Sequence, residues 1–176
     1  MRISATAALL VLLAVPAWAQ EPPAPAAAPA RGRGTPPPPM DLTKGTVMNA
    51  ADLHAAIATA GDTNPSTITR VFGLAGDRRY TVMVEHRAPK AQAAAVHEND
   101  AELFYVIDGW GTMVTGGKLV NETRNGVNLG GTAIEGGTAV KLNKGDFFIV
   151  PEGVPHWFSQ VDAGGLNIMS FHLPRK

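Results

Sequence analysis

The sequence predicts an all-β fold, an antiparallel sandwich or barrel entered through one short N-terminal helix. Three observations carry that expectation. Beyond Pro65, short β-branched and aromatic runs follow one another at close spacing. Asp-Gly, Asn-Gly and Gly-Gly pairs punctuate them. Only one helical signature stands before them, and no helices alternate with the strands as a parallel sheet requires.

The chain of 176 residues opens on "MRISATAALLVLLAVPAWAQ". Arg2 gives a positive start, residues 5–15 are apolar, and Ala17-Trp18-Ala19 is a small-x-small cleavage site. Residues 1–19 therefore read as a secretory signal peptide. The apolar run is short of the about 20 residues a membrane span needs. The expected location is the periplasm or the medium, with no transmembrane anchor after cleavage.

Residues 20–40 read as a Pro-rich linker, with eight prolines between positions 21 and 39. Proline lacks the N–H that a strand ladder uses, and this stretch has almost nothing bulky to bury. Arg31-Gly32-Arg33-Gly34 reads as part of that solvated linker rather than as a docking motif. Residues 41–176 suit one domain. Fifteen Lys and Arg balance 15 Asp and Glu, which argues against a nucleic-acid surface. There is no cysteine, so stability must come from a core, helped by a metal or by oligomerisation.

Within the domain, "NAADLHAAIATAG" is the helix. Asn49 is its N-cap, Asp52 lies in the first turn, and Gly61 stops it. Leu53 and Ile57 share a face, and His54 lies off that stripe on the surface. The strands "STITRVFGL" and "RRYTVMVEHR" follow, separated by "AGD". "AELFYVI" then meets Asp108-Gly109 and "WGTMVT", which predicts a tight hairpin with positive φ at both turn residues. Asn125-Gly126 repeats the device between "KLVNETR" and "VNLGGTAI".

Glycine pairs at 116–117, 130–131 and 136–137 read as turns. No helix follows them to make a phosphate loop. "AVKLN", "DFFIVP", "HWFSQV" and "LNIMSFHL" complete the strands. Residues 110–144 exceed two strands and a turn, so an added hairpin is expected around Asn125-Gly126. Asn121-Glu122-Thr123 fits a glycosylation acceptor.

Side chains alternate along a strand, so Glu102, Phe104 and Val106 share one face and Leu103, Tyr105 and Ile107 the other. Both faces are mostly apolar, which predicts burial on both sides. A carboxylate on such a face needs a partner or its pKa rises. His97 lies five residues before Glu102, and His156 opens "HWFSQ" with Phe158 and Gln160 on its own face. Two imidazoles and a carboxylate form a set seen in non-haem iron(II) sites and compatible with manganese or zinc. By spacing alone, the same residues also read as solvated loop positions and a packed strand histidine.

Gly145, five residues, Pro151-x-Gly153, two residues and His156 resemble the second motif of the cupin superfamily. His97, four residues, Glu102, six residues and Gly109 resemble the end of its first motif. Together the motifs span residues 95–160. Three positions depart from the pattern. Ala95 stands where the first motif has its first His, Pro89 where it has its leading Gly, and Gln160 where the second motif closes on Asn.

The resemblance implies a cupin-type antiparallel β-barrel, a double-stranded β-helix or jelly roll. It implies one divalent transition metal (iron, manganese or zinc) held by His97, Glu102 and His156. Phe104, Val106, Phe158 and Gln160 would line a pocket for a small-molecule ligand or substrate. The function implied is that of a metal-dependent enzyme. Dioxygenation is the reaction expected, though isomerisation needs no different ligands. The alternative is a non-catalytic cupin binding a small ligand or metal, which the Ala95 departure favours. His86 is a candidate for the absent imidazole, and His172 is given a structural place. The Pro151-x-Gly153 turn is expected to send His156 into the barrel, facing a His97–Glu102 hairpin. A homodimer is expected by the same resemblance.

Overall fold

The computed structural model describes residues 31–33, 43–74 and 77–175. The expected leader, most of the Pro-rich stretch and the Ala75-Gly76 turn lie outside the described residues. The helix is α1 (Ala50–Ala60). The first strands are β1 (Arg31–Arg33), β2 (Ser66–Leu74), β3 (Asp77–Arg87), β4 (Ala94–His97) and β5 (Asp100–Asp108). Next come β6 (Trp110–Thr115), β7 (Lys118–Val120), β8 (Thr123–Asn125), β9 (Asn128–Gly131) and β10 (Ala133–Glu135). Last are β11 (Thr138–Asn143), β12 (Phe147–Val150), β13 (His156–Val161) and β14 (Leu166–Pro174).

The caps of α1 are the ones its sequence specifies. The extended Asn49 accepts a hydrogen bond from the Asp52 N–H at 2.9 Å, and Gly61 at φ +58 ends the helix. The helix packs on β2 and β3, with Leu53 and Ile57 half-buried and His54 exposed. No helix among the described residues is long and apolar enough to cross a membrane.

Two six-stranded sheets carry the rest, ordered β1-β2-β3-β14-β5-β12 and β11-β6-β13-β4-β9-β8. A small third sheet pairs β7 with β10. Apart from β1, which runs parallel to β2, the described pairings are antiparallel. Among the described residues this is the all-β jelly-roll architecture expected, with one short helix ahead of the strands of the two main sheets from β2 onward.

Local turn signals and global topology part company at Asp108-Gly109. β5 is already paired on both sides, with Phe104 opposite Phe148 of β12 and Ser170 of β14. No edge is left for β6, so the chain crosses to the other sheet instead of folding into a hairpin. Of the two turn residues only Gly109 has positive φ, +77. A Cβ there would lie 2.3 Å from the Gly165 carbonyl oxygen. His97 and Glu102 likewise end up in opposite sheets rather than in one hairpin.

The second turn signal does make a hairpin, displaced by one residue. Asn125 pairs with Asn128, so the turn is Gly126-Val127, with positive φ (+62) at Gly126. Glycine at the first central position is the type II′ requirement. The hairpin extends the second sheet beyond β4. Gly130-Gly131, expected as a turn, lies inside β9.

The core forms between the sheets. Phe104, Val106, Val150, Leu166 and Ile168 from one meet Met113, Leu142 and Phe158 from the other. Each such burial contributes about 1.5–3 kcal/mol. Along β5 the inner positions Glu102, Phe104 and Val106 are fully buried, while Leu103, Tyr105 and Ile107 are only half-buried. Burial is therefore complete on one face, not both.

Candidate metal centre

Four strands deliver polar side chains to one end of this core. β4 brings His97, β5 Glu102, β13 His156 and β14 His172. His156 reaches the interior because the Pro151–Gly153 turn carries the chain from β12 in one sheet to β13 in the other. Gly153, at φ +75, donates its N–H to the His97 carbonyl at 2.9 Å, pinning the turn to β4. His172 and Glu102 are register partners on adjacent strands.

The three imidazoles converge on one carboxylate that is only 3% exposed. Glu102 Oε2 lies 3.3 Å from His97 Nε2 and 3.1 Å from His156 Nε2. Glu102 Oε1 lies 3.4 Å from His172 Nε2. The His97 ring centroid is 5.3 Å from that of His156 and 4.7 Å from that of His172. His97, Glu102 and His172 each offer a ligand atom, all within 4.8 Å of one another.

The far sides of two rings set their tautomers. His97 Nδ1 sits 3.0 Å from Asn128 Oδ1, and His156 Nδ1 sits 3.3 Å from the Val154 carbonyl oxygen. If Nδ1–H donates to these acceptors, each neutral ring turns an Nε2 lone pair onto Glu102 Oε2. Lone pairs facing a carboxylate repel unless a cation lies among them. Burial alone would raise the Glu102 pKa, but contact with His156, His172 and His97 holds it well below the usual carboxylate range.

The donor set fits a metal. His97 Nε2 and Glu102 Oε2 are fully buried and make no well-formed hydrogen bond. Donor spacings near 3 Å match neighbouring ligands on an ion with bonds of about 2.1 Å. Nitrogen and carboxylate donors together suit iron, manganese or zinc.

His172 is the member that sequence reasoning missed. A period-2 reading of "LNIMSFHL" places it on the face of Ile168 and Ser170, both fully buried, and that was the available signal. Burial pushes its pKa down, but Glu102 above all, with Asp100 and Glu85, leaves it raised. His86, the earlier candidate, is not in the cluster. It contacts Asn167 and Asp62 at 2.8 Å each. The predicted pocket residues divide. Phe104 is next to the cluster, its ring centroid 6.1 Å from His156, and Phe158 packs on Phe104 at 5.9 Å. Val106 is deeper in the apolar core. Gln160 lies beyond a register shift in β13, exposed, accepting from Thr112 Oγ1 at 3.2 Å.

A second buried polar group, also unforeseen, continues inward from His172. Ser170 Oγ donates to Glu85 Oε1 at 2.6 Å, and Arg87 donates to Glu85 Oε2 at 2.5 Å. The Arg87 guanidinium lies over the Phe158 ring at 5.3 Å. Outside β4, a cavity of about 360 Å³ is lined by Val96, Glu98, Lys118, Leu129 and Pro155 among others.

The structure is similar, at low identity, to several solved structures. EutQ of Clostridium difficile is 18% identical at a TM-score of 0.41, covering 62% of this chain and 68% of its own. Fe(II)-HppE is 15% identical at 0.47, covering 64% and 53%. A mutant salicylate 1,2-dioxygenase of Pseudoaminobacter salicylatoxidans, in complex with gentisate, is 17% identical at 0.49. It covers 71% of this chain but only 32% of its own. No curated protein matches the chain. A family model described as Cupin matches residues 72–174, more than half of the sequence and nearly all of its strands, and the chain belongs to the cupin family.

Proposed function

We propose that this is an exported cupin that binds one divalent transition metal through His97, Glu102 and His156 and acts on a small molecule. The observation that carries the reading is the pair of buried atoms, His97 Nε2 and Glu102 Oε2, that face each other without a well-formed hydrogen bond. A bound metal supplies Lewis acidity and an open position for a small substrate or dioxygen. The chain's own residues do the rest. Asn128 and the Val154 carbonyl orient the two rings, Phe104 shields the cluster on its core side, and buried Glu102 contributes the carboxylate donor. Dioxygenation is the reaction class this set suits best. Ala95 supports a second reading, capture of a metal or small ligand without turnover.

Export rests on the three-part leader of residues 1–19. A homodimer is the assembly proposed, through the outer face of β12 and β5. Phe147 and Ile149 are 67% and 52% exposed there, and Phe147 lies against Tyr105 at 4.7 Å. The test is elemental analysis and intact mass of the exported chain beside a Glu102→Ala His156→Ala variant. About one metal ion per chain, lost in the variant, is expected, on a chain beginning at Gln20. A metal-free wild type after anaerobic reconstitution would sink the metal reading, and an uncleaved leader the export reading. Oxygen uptake or turnover by the iron-loaded protein separates an enzyme from a binding protein.

A further inference from the structure

Ala95 and His156 are register partners across β4 and β13. At that position, two residues before His97, β4 therefore presents only a methyl group to the site. An imidazole arrives from a different strand. His172 on β14 is the register partner of Glu102 on β5, so the two side chains stand together on the inner face. His172 Nε2 lies 3.4 Å from Glu102 Oε1, and its ring meets that of His97 edge-on at 4.7 Å. The other side of the ring faces a second carboxylate. His172 Nδ1 is fully buried without a well-formed hydrogen bond, and Asp100 Oδ2 is 3.5 Å away. Asp100 is itself buried, two residues before Glu102 on the same face of β5.

We propose that His172 is a fourth metal ligand, supplying from β14 the imidazole that Ala95 withholds on β4, and that Asp100 is its positioning residue. This rests on the metal-binding reading above and extends it. With a metal on Nε2, the proton would stay on Nδ1 and Asp100 would accept it, fixing the tautomer that leaves the Nε2 lone pair to the metal. The ligands then come two from each sheet, His97 and His156 from one and Glu102 and His172 from the other. Bound metal therefore ties the two sheets together, and the last strand is part of the site. The competing arrangement is a protonated His172 bridging Asp100 and Glu102 with no metal contact.

The experiment is titration of the metal-free full chain with Co(II), for the wild type, His172→Gln and Asp100→Asn. Affinity is read by competition with a chromophoric chelator, and the ligand field by visible absorption. His172→Gln is expected to weaken Co(II) about tenfold or more and to change the absorption bands. Asp100→Asn is expected to cost about 10–100-fold in affinity, as loss of an outer partner of a ligating histidine does. Its Co(II) absorption bands should shift as well, which a merely structural role away from the metal would not produce. Wild-type affinity and an unchanged spectrum in His172→Gln would overturn the proposal while leaving the three-residue site standing. A wild type that binds no Co(II) would overturn the metal reading and this one with it. Nitrogen NMR of the wild type with and without Zn(II) needs no substitution. The His172 Nε2 signal should move while Nδ1 keeps its proton, and an unmoved ring overturns the assignment.

Discussion

Glu85 and Arg87 show what a buried charge demands. Glu85 accepts from Ser170 and Arg87, and all three side chains are excluded from water. Removing Arg87 would leave the Glu85 carboxylate in the core without its main partner. Arg87→Ala is therefore expected to destabilise the fold by about 3–5 kcal/mol, measured by urea denaturation. Replacing Glu85 and Arg87 together by apolar residues of similar volume should recover most of that loss. A double variant as unstable as the single one would refute this account of the pair. None of it was legible in the sequence, because "VEHR" alternates a valine, a buried glutamate, an outward histidine and a buried arginine. Only the register with β14 shows which charged residue faces inward. His97, Glu102 and His156, by contrast, were legible as candidates, since their spacing around Gly109 and Pro151-x-Gly153 survives in the chain.

Between elements, the connections depend on pairing partners that the local sequence does not name. Asp-Gly favours a hairpin wherever both flanking strands have a free edge. β5 has none, and the same dipeptide becomes a passage between sheets. Gly109 is obligatory there for two reasons, its φ of +77 and the Gly165 carbonyl 2.3 Å from where a Cβ would stand. Gly109→Ala is expected to cost about 2 kcal/mol or more, by strain at a positive φ plus displacement of the β13–β14 turn. The denaturation midpoint measures this, and an unshifted midpoint would show that the turn yields freely. Gly126, with nothing within 4 Å of an added Cβ, carries only the φ requirement, so alanine there should cost less.

For the whole molecule, the outer face of the first sheet is the feature left uncovered. α1 packs on β2 and β3 but leaves Phe147, Ile149 and Leu173 exposed at the other side. β12 is also an edge strand without a charged residue, the kind that natural sheets pair or protect. Phe147→Glu with Ile149→Lys is expected to convert the proposed homodimer to a monomer, read by light scattering after size exclusion. Wild-type protein that is monomeric at high concentration would remove the dimer proposal.

The sequence by itself determined the fold class, the caps of α1, the extents of the early strands and the motifs around Glu102 and His156. These are set by period-2 patterning, by side-chain hydrogen bonds to the chain's own backbone, and by residues close in sequence. The tertiary structure alone decided that His172 joins the site, that His86 faces away, and that Glu85 meets Arg87 in the core. Each of those depends on register between strands far apart in the chain. A one-residue change of register would turn the whole strand over.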